Sequence, residues 1–148
     1  MANTIEFQNA EQRNYNILLV DDDSHMLEVI DEILLEENYQ VIRATSGEAA
    51  IELLNTKDFD LVITDLNMGK ANGIAVLKRA KELNHETMVI IMTGNTDVAF
   101  AIEALRFDAD DYLLKPFNID YFLDRVSIAL RNWETHEALR SQRCVIEL

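Results

Sequence analysis

Positive charge is scarce in this sequence: 13 Lys and Arg stand against 27 Asp and Glu, a formal net charge of −14 over 148 residues. A chain so acidic repels the phosphate backbone that dominates nucleic-acid affinity, which argues against direct contact with DNA or RNA. Cysteine is limited to Cys144, so no internal disulfide forms. No apolar run approaches the ~18 residues of a membrane span, and the amino-terminal stretch MANTIEFQNAEQRNYN lacks the apolar core of a signal peptide. Neither a GxGxxG nor a P-loop occurs, and there is no repeat or low-complexity stretch. The histidines, His25, His85 and His136, have no metal-ligand spacing. These absences leave a soluble protein expected in a reducing cytoplasm. At roughly 150 residues per domain, it has room for one domain and little else.

What the chain does have is apolar surface. Hydrophobic residues make up 49% of it, enough for a core at a length where folding removes roughly 68–70% of the unfolded surface from water. Five short runs are continuously apolar: Ile17 to Val20, Gln40 to Ala44, Leu61 to Thr64, Met88 to Met92 and Asp111 to Leu114. None alternates, and unbroken Val/Ile/Leu runs are the pattern of strands covered on both faces, as in parallel sheets flanked by helices. Helical spacing fills the intervals. Met26, Ile30, Ile33 and Leu34 follow a start signal at Asp23 or Ser24 and stop at Asn38, and Ala50, Leu53 and Leu54 follow Ser46. The third pattern runs from Gly73 to Leu83. The fourth begins near Thr96 or Asp97 and carries Val98, Ala101, Ile102 and Leu105. The fifth, capped by Asn118, holds Phe122, Leu123, Val126, Leu130 and Trp133. The expected architecture is a doubly wound α/β domain over residues 16–133, with a five-stranded parallel sheet and helices on both faces. Residues 1–15 read as a polar extension that is frayed or lightly packed. Residues 134–148 read as a polar continuation of the last helix, either a plain solvated face or a signalling helix that serves as a dimer contact or a linker.

The carboxyl ends of the strands carry the chemistry of such folds. Here they present Asp21, Asp22 and Asp23 after the first, Asp65 at the third, Thr93 at the fourth, and Lys115 with Pro116 after the fifth. If Asp21, Asp22 and Asp65 converge, each like-charge pair at ~5 Å and an effective dielectric of ~20 costs roughly 3 kcal/mol. Lys115 offsets one charge. A hard divalent ion with oxygen ligands balances the rest, and Mg²⁺ is the natural candidate. A carboxylate in that setting can attack phosphorus to form an aspartyl phosphate. Asp65 is the expected nucleophile, while the adjacent Asp21 and Asp22 suit metal and water. Asp23 is better placed to cap the first helix. Met26, Met88 and Met92 are expected to fill core gaps, and Cys144 reads as an exposed bystander.

At these positions the sequence resembles the receiver domains of two-component response regulators, CheY-like proteins of the flavodoxin-like fold. It shares their acidic pair (ILLVDDD), phosphoacceptor (ITDLNM), Ser/Thr (IIMTG) and Lys-Pro (DYLLKPF). The likeness spans roughly Tyr15 to Trp133. It implies strand order 2-1-3-4-5, phosphorylation of Asp65, and Mg²⁺ held by Asp21, Asp22, Asp65 and the backbone carbonyl of Asn67. It also implies a switch through Thr93 and Tyr112 with Lys115 as salt-bridge partner, and a cis bond at Lys115-Pro116. The implied partners are a sensor histidine kinase or phosphotransfer protein upstream, and downstream an unknown protein or an effector domain in a longer parent chain. Output would pass through the fourth helix, fifth strand and fifth helix. Such a domain catalyses only its own phosphorylation and dephosphorylation. Two departures stand out: Gly69 replaces the usual Pro after Met68, loosening that loop, and Asp108 replaces the Gly of the turn before Asp111-Tyr112. Three other classes compete. An aspartate-nucleophile phosphatase wants an Asp where Asn67 stands, a flavin or nucleotide binder wants a Gly/Ser/Thr-rich loop where three aspartates stand, and a phosphorylation-independent interaction module has no use for the complete acidic set.

Overall fold

Val, Ile and Leu runs form five strands: β1 (Ile17–Val20), β2 (Val41–Ala44), β3 (Leu61–Asp65), β4 (Met88–Thr93) and β5 (Asp111–Leu114). Each boundary falls within one residue of its expected place. All pairings are parallel, in the order β2-β1-β3-β4-β5, with Ile17 opposite both Val41 and Leu61, Leu61 opposite Met88, and Ile90 opposite Asp111. The computed structural model of the chain describes residues 14–68, 72–94 and 98–147, with side chains as far as Arg140. Residues 1–13, Gly69, Thr96, Asp97 and the side chain of Cys144 lie outside what is described.

Alternation along the strands splits the core into two layers. Leu18, Val20, Val62, Val89 and Ile91 point to one face, where they meet Ala50 and Leu54 of α2 (Gly47–Thr56), Ile74, Leu77 and Ala80 of α3 (Gly73–Leu83), and Ala104 of α4 (Val98–Arg106). Ile17, Leu19, Leu61, Ile63, Met88, Ile90 and Met92 point to the other. There they meet Leu27, Ile30 and Leu34 of α1 (Ser24–Glu36) and Phe122, Val126 and Leu130 of α5 (Ile119–Glu147). Burial on both faces is why no strand alternates in sequence.

Caps set the helix starts. Asp23 accepts from the N–H groups of His25 and Met26 at 3.0 and 3.3 Å. Ser46 accepts from Ala49, and Asn72 from Ala75, each at 3.1 Å. Asn118 accepts from Asp120 at 2.8 Å. Asn38 ends the α1 turn with φ 66°, and Asp108 follows α4 with φ 68°, so the Asp in the usual Gly position adopts left-handed backbone, which its short polar side chain tolerates. The Lys115-Pro116 peptide is cis.

At the amino ends of the strands α5 stays attached to the body. The Tyr15 ring lies 6.1 Å from Tyr39 and 6.3 Å, edge-on, from Trp133, and its hydroxyl donates to the Glu134 carboxylate at 2.5 Å. Further along, Arg140 pairs with Glu86 at 3.3 Å. Tyr15 is therefore half-buried, more firmly held than the expectation for residues 1–15. No described helix is long and apolar enough to cross a membrane.

Candidate functional site

Because β1 and β3 are neighbours whose flanking helices leave in opposite directions, the loops at their carboxyl ends part and open a crevice. The crevice holds the acids. One carboxylate oxygen from each of Asp21, Asp22 and Asp65 lies within 4.8 Å of the others. Their environments differ. Asp21 is 1% exposed, and both of its oxygens are engaged: Oδ1 accepts from the Asp23 N–H at 3.0 Å and Oδ2 from Lys115 Nζ at 2.9 Å. Asp22 is exposed, and its carboxylate faces water. Asp23, one residue on, has its carboxylate committed to the helix cap.

Asp65 ends β3 and is buried. Its Oδ1 accepts from the Leu66 N–H at 2.7 Å, and its Oδ2 lies 3.6 Å from Lys115 Nζ. Burial holds this carboxyl above the ordinary carboxylate range; Lys115 opposes that, Asp21 reinforces it, and the N–H groups of Leu66 and Asn67 oppose it. Lys115 thus sits closer to Asp21 than to Asp65, at the hinge between the two acids. Its own backbone N–H donates to the Thr93 carbonyl at 2.8 Å, which ties the loop after β5 to the end of β4. Thr93 is fully buried one residue beyond Met92, the cross-strand partner of Asp65. Tyr112 lies opposite Ile91 on β5, half-buried, and lines a cavity of about 310 Å³ with Ala101, Ala104 and Leu105 of α4.

The donor set suits a hard divalent cation. It offers only oxygens, it carries more negative charge than one ammonium offsets, and Asp22 opens to solvent where water ligands would stand. Mg²⁺ would be held by Asp21, Asp22 and Asp65.

Asp21, Asp22, Asp65, Thr93 and Lys115 gather at one end of the sheet, and Asn67 joins them through its N–H. Tyr112, on β5 and two strands from Asp65, lines the α4 cavity. Two residues of this site escape the sequence reading. The Thr64 hydroxyl donates to the Asp65 carbonyl oxygen at 2.9 Å, and Gly73, at the start of α3, donates its N–H to the Leu66 carbonyl at 2.9 Å. Their signal is faint: a Thr inside an apolar strand, and an Asn-Gly pair at a helix start.

A doubly wound sheet with three acids and a lysine at its switch point is the architecture of a phosphoacceptor switch. The family described as "Response regulator receiver domain" matches residues 17–127, and the chain belongs to that family. Transcriptional regulatory protein ZraR of Escherichia coli (strain K12) is 38% identical over 125 residues, 84% of this chain and 28% of that protein. Transcriptional regulatory protein DltR of Streptococcus agalactiae serotype III (strain NEM316) is 34% identical over 115 residues, 78% of this chain and 51% of that protein. The chain therefore spans about half or less of these curated relatives. Among solved structures, the CheY-like receiver domain protein from Methanospirillum hungatei JF-1 superposes with a TM-score of 0.81 at 27% identity, covering 84% of this chain and 99% of that one.

Proposed function

We propose that this receiver domain is a cytoplasmic switch phosphorylated on Asp65, with the phosphoryl group supplied by a phosphohistidine of a sensor kinase or phosphotransfer protein. The observation that carries the reading is the convergence of Asp21, Asp22 and Asp65 around Lys115. An Asp65 carboxylate oxygen attacks phosphorus, the P–N bond breaks, and its electron pair leaves on the imidazole, which takes up a proton. Mg²⁺, when bound by the three carboxylates with the Asn67 carbonyl completing its shell, would neutralise charge on the phosphoryl oxygens.

The protein's own groups do the rest. The Leu66 N–H orients the acceptor carboxylate, which is itself largely buried at the end of β3. Lys115 is within reach of the new phosphoryl oxygens, and Thr93 supplies a hydroxyl donor for them. Asn67 stands where an aspartate-nucleophile phosphatase would carry its acid/base, so turnover is confined to the domain's own acyl phosphate.

Phosphorylation is then read through α4, β5 and α5. Val98, Ile102 and Leu105 of α4 and Leu114 of β5 lie exposed on that side, ready for a protein partner, an effector domain or a second copy. Carrying the domain from about 1:99 to about 99:1 takes about 5.5 kcal/mol of differential stabilisation, within reach of several charge-assisted contacts. ZraR and DltR are named as transcriptional regulators; with a net charge of −14, this chain would act on transcription only through another domain or protein.

The test is incubation with Mg²⁺ and a small acyl or amidophosphate donor, followed by intact mass measurement. One labile phosphoryl adduct is expected on wild type and none on Asp65→Asn. No adduct on wild type, or an equal adduct on the variant, would leave the fold as an interaction module.

A further inference from the structure

The main chain of Asp65 is gripped from two sides. On one, the Thr64 hydroxyl, fully buried, donates to the Asp65 carbonyl oxygen at 2.9 Å. On the other, the bare Cα of Gly73 presses against the same group. A Cβ at residue 73 would lie 2.3 Å from the Asp65 carbonyl oxygen, 2.9 Å from the Leu66 Cα and 3.1 Å from the Asp65 carbonyl carbon. Every one of those atoms is backbone, so no flexible side chain can swing away to make room. Gly94, by contrast, has nothing within 4 Å of its would-be Cβ. Gly73 is helical and needs no unusual φ; what it supplies is the absence of an atom.

The peptide held this way joins Asp65 to Leu66, and its N–H is the one that holds Asp65 Oδ1 at 2.7 Å. Gly73 closes the ring by donating to the Leu66 carbonyl at 2.9 Å. Any shift of this peptide therefore moves the acceptor's Cα and the donor that aims its carboxylate at the same time. Resting on the reading of Asp65 as acceptor, we propose that Thr64 and Gly73 are positioning residues: together they clamp the Asp65 main chain so that the carboxylate meets phosphorus in line. Neither touches the phosphoryl group. The clamp also dictates how α3 docks, because the helix begins at the glycine that makes the contact.

The test uses the full chain in three variants, Thr64→Val, Gly73→Ala and Ala80→Gly. The last destabilises α3 from a buried position away from Asp65. Adduct formation from a phosphoramidate donor with Mg²⁺ is followed by intact mass, at a temperature where circular dichroism shows each variant folded. The Leu66 amide proton is followed by two-dimensional NMR without any donor. Misplacing reacting atoms by about 1 Å costs about 100-fold in rate, so Gly73→Ala is expected to slow adduct formation by about that factor and Thr64→Val by about 10-fold. In both, the Leu66 amide moves upfield as its bond to Asp65 loosens. Ala80→Gly keeps the wild-type rate and the wild-type Leu66 resonance. Wild-type rates in the two clamp variants would overturn the proposal, as would Ala80→Gly slowing as much as they do. Should Gly73→Ala not fold, Thr64→Val and its Leu66 resonance decide alone. Absence of an adduct on wild type would instead sink the acceptor reading, and the Leu66 amide would still decide the clamp.

Discussion

Helices α3 and α4 lie side by side on one face of the sheet, yet they are held very differently. α3 buries Gly73, Ile74, Val76, Leu77 and Ala80, and it starts against the Asp65–Leu66 peptide itself. α4 buries Ala104 alone, while Val98, Ile102 and Leu105 stand 69%, 53% and 71% exposed. Local opening costs least where few apolar contacts are made, so α4 and the β5 edge beside it are the low-stability end of this domain. The difference assigns roles. Under the proposed function, chemistry at Asp65 would use α3 as its fixed platform, and the loosely seated α4 would be the element that a signal moves. Tyr112, on β5 against α4, would couple the two if the proposed switch operates.

The comparison can be broken most directly by cutting side chains from each helix. Leu77→Ala is expected to destabilise the domain by about 2–5 kcal/mol, read as a lower urea midpoint with unchanged slope. A loss below about 1 kcal/mol would mean that α3 is not the anchor described. Next in size is the cap. Asn72→Ala removes the acceptor of the Ala75 N–H and should cost about 1 kcal/mol; no cost at all would place the whole anchoring of α3 in its packing.

A smaller effect concerns Asp65, the proposed acceptor. Burial raises the Asp65 carboxyl above its ordinary value of 3.8, so the folded state holds that proton more tightly than the unfolded chain does. Stability from this group is present below the unfolded value and lost as pH rises through the folded one. In metal-free buffer Asp65→Asn should therefore melt higher than wild type near about pH 7, with the gap closing as pH falls toward about 4. A gap that ignores pH would remove carboxylate burial as its cause. The smallest effect belongs to α4: Ile102→Ala should stay within about 0.5 kcal/mol of wild type. In the same molecule, hydrogen exchange should be faster in α4 than in α3.

Much of this was legible in the chain. Strands covered on both faces produce unbroken runs, so their limits came within a residue, and Asp23, Ser46 and Asn118 announced helix starts through side chains that accept N–H bonds. The acids were legible because chemistry in a doubly wound sheet gathers at strand ends. The loose seating of α4 was not: apolar residues at helical spacing make the same pattern whether the stripe is buried or, as with Ile102 and Leu105, presented to solvent. Nor was the resting place of Lys115 on Asp21, which depends on how a flexible side chain is shared between two acids 94 and 50 residues away in sequence. Thr64 touches the Asp65 carbonyl through its hydroxyl from the neighbouring position, where a Thr in an apolar strand gives no sign of it, and Gly73 meets the same peptide from eight residues away by leaving an atom out, a contact that spacing alone does not record.

Trp133 is the chain's one tryptophan, and it sits edge-on to Tyr15 where α5 passes the amino ends of the strands. Its emission therefore reports the seating of α5 at the end of the domain opposite the acid pocket, with no background from a second indole. Light from that ring is a direct measure of whether an event at Asp65 travels the length of the domain, and no label need be added to see it.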